Sequence, residues 1–318
     1  LFNGTTNTSV LYGTSSTYVN LSLGSYWFTL FANDTHGNNA SYKVAATFQY
    51  VLNQNSITYT PSTLEGNVET FSINVTLGSG RTFSSAYLIY NGTSYPASYY
   101  TSGPDTIIYK NIEMPDVSAV TNKTFLWSIN LDTGNVNSSD YIQTINPLSI
   151  DNCTVYSVKI FNFTLKDEQD QSSLGSSENT SIELDLQIKS TQSTSILNYS
   201  GIFNSTNPVS VCLNINLSNS AYRVDGLVRY VSGSRVPEFY NLQNLSLKNT
   251  TIPQNINLYD LKSANSQEFL ITFKDNSFLP VENALIQIQR KYISEGVFKV
   301  VEIPKTDKNG QAIAHFDL

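Results

Sequence analysis

Few side chains in this sequence combine the types and spacing that chemistry needs. The two histidines, His36 and His315, stand near opposite ends of the chain. They cannot form the paired imidazoles on one helix that a zinc peptidase requires. His36 falls in a polar turn and reads as a surface residue, whereas His315 alternates away from Phe316 and reads as facing solvent or a partner strand. Asp167, Glu168 and Asp170 could offer loop carboxylates to Ca²⁺. Their spacing departs from that of an EF-hand, so a solvated acidic loop is the expectation. Glu183 and Asp185 share one face of a strand, as a glycosidase pair might. No positioning partner or cleft-forming fold accompanies them. Gly78-Ser79-Gly80 lacks the rest of a phosphate-binding pattern and a helix to follow it, and no G-x-S-x-G occurs. The expectation is a chain with no catalytic residue, no metal and no cofactor.

Covalent modification is better supported. The sequon Asn-x-Ser/Thr begins at Asn3, Asn7, Asn20, Asn33, Asn39, Asn74, Asn91, Asn122, Asn137, Asn152, Asn162, Asn179, Asn198, Asn204, Asn216, Asn244 and Asn249. These seventeen sites are roughly twice what the composition predicts by chance, so covalent N-glycans are expected. None lies beyond Asn249. Occupied sites must face solvent, which marks strand faces that cannot be core. The two cysteines, Cys153 and Cys212, are expected to bridge in an oxidising exterior. The alternative is a pair of buried free thiols. No CxxC and no Cys/His cluster supports metal binding.

Composition narrows the partners. Charged residues make up 14% of the chain, the net charge is −7 and the pI is about 4.8. Nucleic acid requires a basic footprint, so it is excluded as a partner. No basic run suits anionic lipid, and no apolar stretch reaches the length of a membrane span. The sequence has neither an initiating Met nor a signal peptide, so it reads as a mature or excised region of a longer precursor.

The elements that position these residues all read as strands. A chain of 318 residues has room for several domains. Aromatic and apolar residues alternate at period two, and turn residues recur at the spacing of an all-β protein. Four regions follow: 1–52, a partial β-domain; 53–149, a full β-sandwich; 150–264, a β-sandwich carrying the cysteine pair; and 265–318, a short β-module. In the second region Trp127 alternates with Phe125 and Ile129 and reads as core. In the third, 166–179 reads as a polar loop and 258–263 as one helical turn. In the last, 267–273, 284–289 and 297–303 alternate as strands, as does 312–318. Asn309-Gly310 is a strong hairpin signal, because both central positions of a tight turn favour φ > 0.

Three stretches resemble known families. Pro280-Val281, Ala284 to Ile288 and Thr306-Asp307-Lys308-Asn309-Gly310-Gln311-Ala312 are similar to the carboxypeptidase-regulatory-like, transthyretin-like modules of secreted and cell-surface proteins. The resemblance covers about one sixth of the chain and implies an accessory β-sandwich; the family's closing strands are missing after Leu318. Leu23-Gly24-Ser25-Tyr26, Ala32-Asn33-Asp34 and Gly37-Asn38 resemble the end of immunoglobulin-like repeats in archaeal surface glycoproteins. Asp151-x-Cys153, Tyr222-Arg223 through Tyr230, and Phe239 to Gln243, in this order, are similar to large multidomain archaeal surface proteins. That likeness implies an extracellular, glycosylated chain with a membrane anchor further on.

The fold expected is all-β, a string of immunoglobulin-like and transthyretin-like β-sandwich domains whose terminal members are incomplete. An incomplete sandwich exposes an apolar groove and unpaired strand edges. Residues 1–50 of one copy completing 267–318 of the next would form a contact that propagates into a filament. The partners expected are therefore copies of the chain itself, on a cell surface or in an extracellular fibril. The alternative is an adhesin or glycan-binding module using Tyr-rich loops such as 95–102.

Overall fold

The computed structural model describes residues 24–33 and 35–317 of the chain. They are nearly all strand. The only helical pieces among them are two three-residue 3₁₀ turns, Ser176–Glu178 and Ser263–Asn265. None of the described residues forms a helix long and apolar enough to cross a membrane. The chain divides into two compact bodies. The first holds the described part of Leu1–Thr60 with Thr70–Asn111 and Lys123–Gln143. The second holds Pro61–Glu69, Ile112–Asn122 and everything from Thr144 onward that is described.

The first body opens with a hairpin. Strands β1 (Gly24–Asn33) and β2 (Asn39–Phe48) pair antiparallel over their full length, from Gly24 opposite Phe48 to Asn33 opposite Asn39. Gly37 makes the turn at φ +81°, where a side chain would be strained. The strands that follow in the chain are β3 (Leu52–Thr58), β4 (Ser62–Leu64, which belongs to the second body), β5 (Val68–Leu77), β6 (Phe83–Tyr90) and β7 (Thr93–Pro96). After them come β8 (Ser98–Ser102), β9 (Asp105–Glu113), β10 (Thr121–Leu131), β11 (Gly134–Asn137) and β12 (Tyr141–Asn146). One sheet runs β3-β5-β9-β8; in the other, β12-β10-β6-β7 follow in order and β11 also pairs β10. The period-two pattern sends Phe71, Ile73 and Val75 inward from β5, and Phe125, Trp127 and Ile129 inward from β10. The two sheets meet through aromatic edges. Phe71 lies 4.8 Å from Phe125 and 5.5 Å from Tyr90 by ring centroids.

The second body is built on another pair of sheets. Its strands are β13 (Ile150–Asp151), β14 (Val158–Asp167), β15 (Thr180–Ser190) and β16 (Ser195–Asn204), then β17 (Val209–Leu213), β18 (Ala221–Ser232), β19 (Glu238–Lys248) and β20 (Gln254–Asp260). They form the sheets β13-β17-β14-β20 and β16-β15-β18-β19. Phe161, Phe163 and Leu165 from the first face Ile182, Leu184, Leu186, Tyr222, Val224 and Val228 from the second. Leu64 joins this core, and the buried Tyr222 hydroxyl donates to the Glu65 carbonyl at 2.7 Å. Cys153 and Cys212 are joined in a disulfide where Asp151 of β13 stands opposite Cys212 of β17.

Four further strands complete the body: β21 (Ser266–Thr272), β22 (Ile288–Tyr292), β23 (Val297–Glu302) and β24 (Gln311–Asp317). They pair only as β21 with β24 and β22 with β23. Three expectations are corrected here. Asn309-Gly310 does not join neighbouring strands of a hairpin, because β23 pairs back to β22 while β24 crosses to β21. The Asp307 carboxylate organises that turn by accepting the N–H groups of Asn309 and Gln311, and Gly310 alone has positive φ. The helical turn expected at 258–263 is mostly strand: residues up to Asp260 belong to β20, and the 3₁₀ turn starts at Ser263. Residues 284–287 do not form regular strand; only from Ile288 does the run pair as β22.

Candidate functional site

The small size of one buried set leaves the site open. Strands β21 and β24 run antiparallel with Leu270 opposite Ile313 and Ile271 opposite Ala312. On one face Ala312 and Ala314 are buried, in company with Ile271. Ala314 joins a core of Tyr259, Ile288, Tyr292 and Val301. On the other face Leu270 and Ile313 are 62% and 48% exposed. Beneath them lies a groove of about 490 Å³, walled by Leu227, Phe239 and Asn241 on one side and by Leu270, Gln311 and Ile313 on the other. Phe269, Phe273, Phe278, Leu279 and Phe298 are exposed in the same module. Single exposed apolar residues are ordinary, but so many in some fifty residues mark a surface that needs a cover. Among the described residues no strand pairs the outer edge of β21 or of β24.

The first hairpin presents the same kind of surface. Trp27, Tyr42 and Val44 are 65%, 69% and 41% exposed. Among the described residues β1 and β2 form a sheet of their own. Two isolated strands are marginal in water, and a third strand or a packed face is what steadies them.

Acidic groups form the floor of the C-terminal module. Glu238 at the start of β19 and Glu302 at the end of β23 are fully buried. His315 of β24 reaches toward them, with Nδ1 3.9 Å from Glu302 Oε1. One oxygen of each carboxylate is held by backbone: the Leu261 N–H donates to Glu238 Oε2 and the His315 N–H to Glu302 Oε2, both at 3.1 Å. Burial, with the charges of Glu302, Glu168 and Asp260, pushes the Glu238 carboxyl well above the usual range. The Glu302 carboxylate raises His315. The Tyr230 hydroxyl donates to the Val301 carbonyl at 2.7 Å, fixing β23 over β18. Nearby, Arg290 bridges Glu168 at 3.0 Å and Asp317 at 2.5 Å, so both acids share one guanidinium.

The residues singled out from sequence fall in varied places. Trp127 is fully buried, as its alternation requires. His36 is exposed in the β1–β2 turn. His315 is not solvent-facing; its side chain is only 13% exposed and directed at Glu302. Asp167 and Glu168 do not form a solvated loop. Their side chains are 4% and 3% exposed, and Asp167 binds Arg235 at 2.7 Å and Lys262 at 3.2 Å. Asp170 instead accepts from Ser172, so these carboxylates do not converge on one ion. Glu183 is paired with Arg229 at 2.8 Å across β15 and β18, which leaves it a structural partner. Residues 95–102 are not a loop but the ends of β7 and all of β8, with Tyr99 and Tyr100 more than half exposed.

Asn3, Asn7 and Asn20 lie outside the described residues, and only the backbone of Asn33 is described. Asn74 and Asn162 are half-buried; Asn39, Asn91, Asn122, Asn137, Asn152, Asn179, Asn198, Asn204, Asn216, Asn244 and Asn249 are exposed. Asn74 donates to Asp105 and Asn162 accepts from Ser210, so both amides are engaged. Sequence reasoning passed over Glu238 and Glu302. The signal available was an acid closing an apolar strand run, as in 297–302, where an inward position must find a partner.

No family model and no curated protein matches this chain. Solved structures with partial likeness include a three-Ig structure of titin domains, 11% identical over 75% of each chain at a TM-score of 0.25. A tetra-tandem repeat from the extending region of a large adhesion protein is 11% identical over 92% of this chain and 73% of its own, at 0.20. A complex of Dpr2 Ig1-Ig2 with DIP-Theta Ig1-Ig3 is 10% identical over 85% and 99%, at 0.19. The meaning of the groove therefore rests on its own residues.

Proposed function

We propose that this chain is a non-enzymatic extracellular structural glycoprotein whose copies assemble head-to-tail. The observation that carries the reading is a pair of apolar surfaces. One is the hairpin carrying Trp27, Tyr42 and Val44; the other is the groove under Leu270 and Ile313, beside the unpaired edges of β21 and β24. An open edge and an apolar trough suit an added strand, which supplies backbone hydrogen bonds and side chains together. The occupant proposed is the first hairpin of a second copy. Because donor and acceptor are different surfaces, the contact is heterologous and does not close after two subunits. The disulfide and the sequon-rich exposed faces support an oxidising, extracellular setting, with glycans shielding strand edges.

Electron microscopy of the native material, with helical averaging, tests this reading. Threads with one chain per axial step and density branching at asparagines are expected. Isolated particles, or threads in which the groove stays open, would overturn it. A second reading, a glycan-binding or adhesive module, draws on the exposed Tyr99 and Tyr100 of β8, with Tyr109 stacked edge-on 6.1 Å from Tyr100. Such rings can stack on sugars. A saturable, sugar-specific signal on a glycan array, lost on Tyr100→Ala, would favour it.

A further inference from the structure

We propose that Glu238, Glu302 and His315 form a binding site for a single divalent transition-metal ion of the zinc class. The ion would fasten the C-terminal strands to the sandwich. One ligand atom from each residue lies within 4.8 Å of the other two, close to what a shared ion needs before its ligands draw in. They come from three strands, β19, β23 and β24. Oε1 of Glu238, Oε1 of Glu302 and Nδ1 of His315 make no hydrogen bond. Both glutamates are fully buried.

A buried carboxyl oxygen without a partner is costly, and ordinarily a cation or a donor compensates it. Neither glutamate has an arginine or lysine partner among the described residues, while Arg290 serves Glu168 and Asp317 and Arg235 serves Asp167; the neighbouring buried Asp260 takes the Ser232 hydroxyl on one oxygen and leaves the other without a hydrogen bond. The second oxygen of each glutamate is already fixed by a backbone N–H, from Leu261 and from His315 itself. That is the outer support that orients metal-binding carboxylates. One imidazole nitrogen with two carboxylate oxygens suits Zn²⁺, Co²⁺ or Mn²⁺. Ca²⁺ prefers six or more oxygens, which three residues do not supply. The departure from the metal-free expectation has a plain cause: these residues lie on three separate strands, and only the meeting of the end of β23 with β19, where the Ile303 N–H donates to the Phe239 carbonyl at 2.8 Å, and of His315 with Glu302 brings them together.

The test uses the full chain, freed of metal by a chelator and titrated with Zn²⁺ by calorimetry. Co²⁺ absorption reports the ligand set. One equivalent is expected to bind with visible d–d bands of a low-coordinate site, and the unfolding transition should rise with added Zn²⁺. Glu238→Gln keeps the shape and the Leu261 contact, and His315→Gln keeps a polar side chain. Each is expected to weaken binding about 100-fold or more. Absence of stoichiometric binding by the wild-type chain overturns the proposal, whatever the variants do. So does binding that persists unchanged in both variants. A metal-free Glu238→Gln chain that is more stable than wild type, in a protein that binds no ion, would assign the cluster to a shared proton instead.

Discussion

At the scale of single residues, burial decides what a charge does. Asp167 is opposed by its own desolvation, yet Arg235, the N–H groups of Asp170 and Gln169, and Lys262 outweigh it and hold its pKa at about 2, below the ordinary 3.8. A depressed carboxylate stabilises the fold above its unfolded pKa, and that stability is lost as pH falls through the folded one. The second body should therefore lose stability as pH drops from 3.8 toward about 2. Asp167→Asn should remove that dependence and cost roughly 2 kcal/mol at neutral pH, from the size of the shift. Urea melts at stepped pH measure both. In the first body, Phe125 is buried among Phe71, Tyr59, Tyr90 and Tyr141. Phe125→Ala leaves a cavity that this ring cluster cannot close, and should cost about 3–5 kcal/mol in the same assay.

At the scale of elements, the open module makes the sharpest claims. Leu270 and Ile313 stand directly opposite each other on the exposed face. Leu270→Lys with Ile313→Glu would place opposite charges across the strands, so the monomer should change by less than about 1 kcal/mol. The groove, however, would become charged, and assembly read by light scattering and microscopy should stop. An unchanged assembly would remove this face from the interface. The turn before β24 is less forgiving. Gly310 sits at φ +69°, and an added Cβ would meet the Phe273 carbonyl at 2.4 Å. Gly310→Ala should destabilise the module by about 1–3 kcal/mol, seen as early hydrogen exchange in β21 and β24.

At the scale of the whole molecule, two devices reach across long stretches of chain. The disulfide joins residues 59 apart in sequence. Reduction should lower the stability of the second body by about 4 kcal/mol in the chain-entropy model, measured by denaturant titration with and without reductant. The second device is burial of one module against another. The Tyr292 hydroxyl donates to the Glu168 carbonyl at 2.6 Å, and Tyr259 of β20 packs into the small core of β22–β24. The C-terminal strands thus lean on the preceding sandwich in place of a full core of their own.

What the sequence determined by itself was the class of element and its inward face. Alternation is a local property, and a residue such as Trp127 in 121–131 is placed by its neighbours two positions away. The polar turns and the strand-rich composition were legible for the same reason, and the cysteine pair because two cysteines in an oxidising setting have only each other to bridge. Strand partners were not. Asn309-Gly310 looked like the link of a hairpin, but whether β24 pairs β23 or crosses to β21 depends on which face must cover Tyr259 and Tyr292. The buried acids were hidden likewise: Glu238, Glu302 and His315 carry no signal at their separations in sequence. Only the tertiary structure could decide them, because both pairing and charge burial are settled by residues that meet through folding and not through the chain.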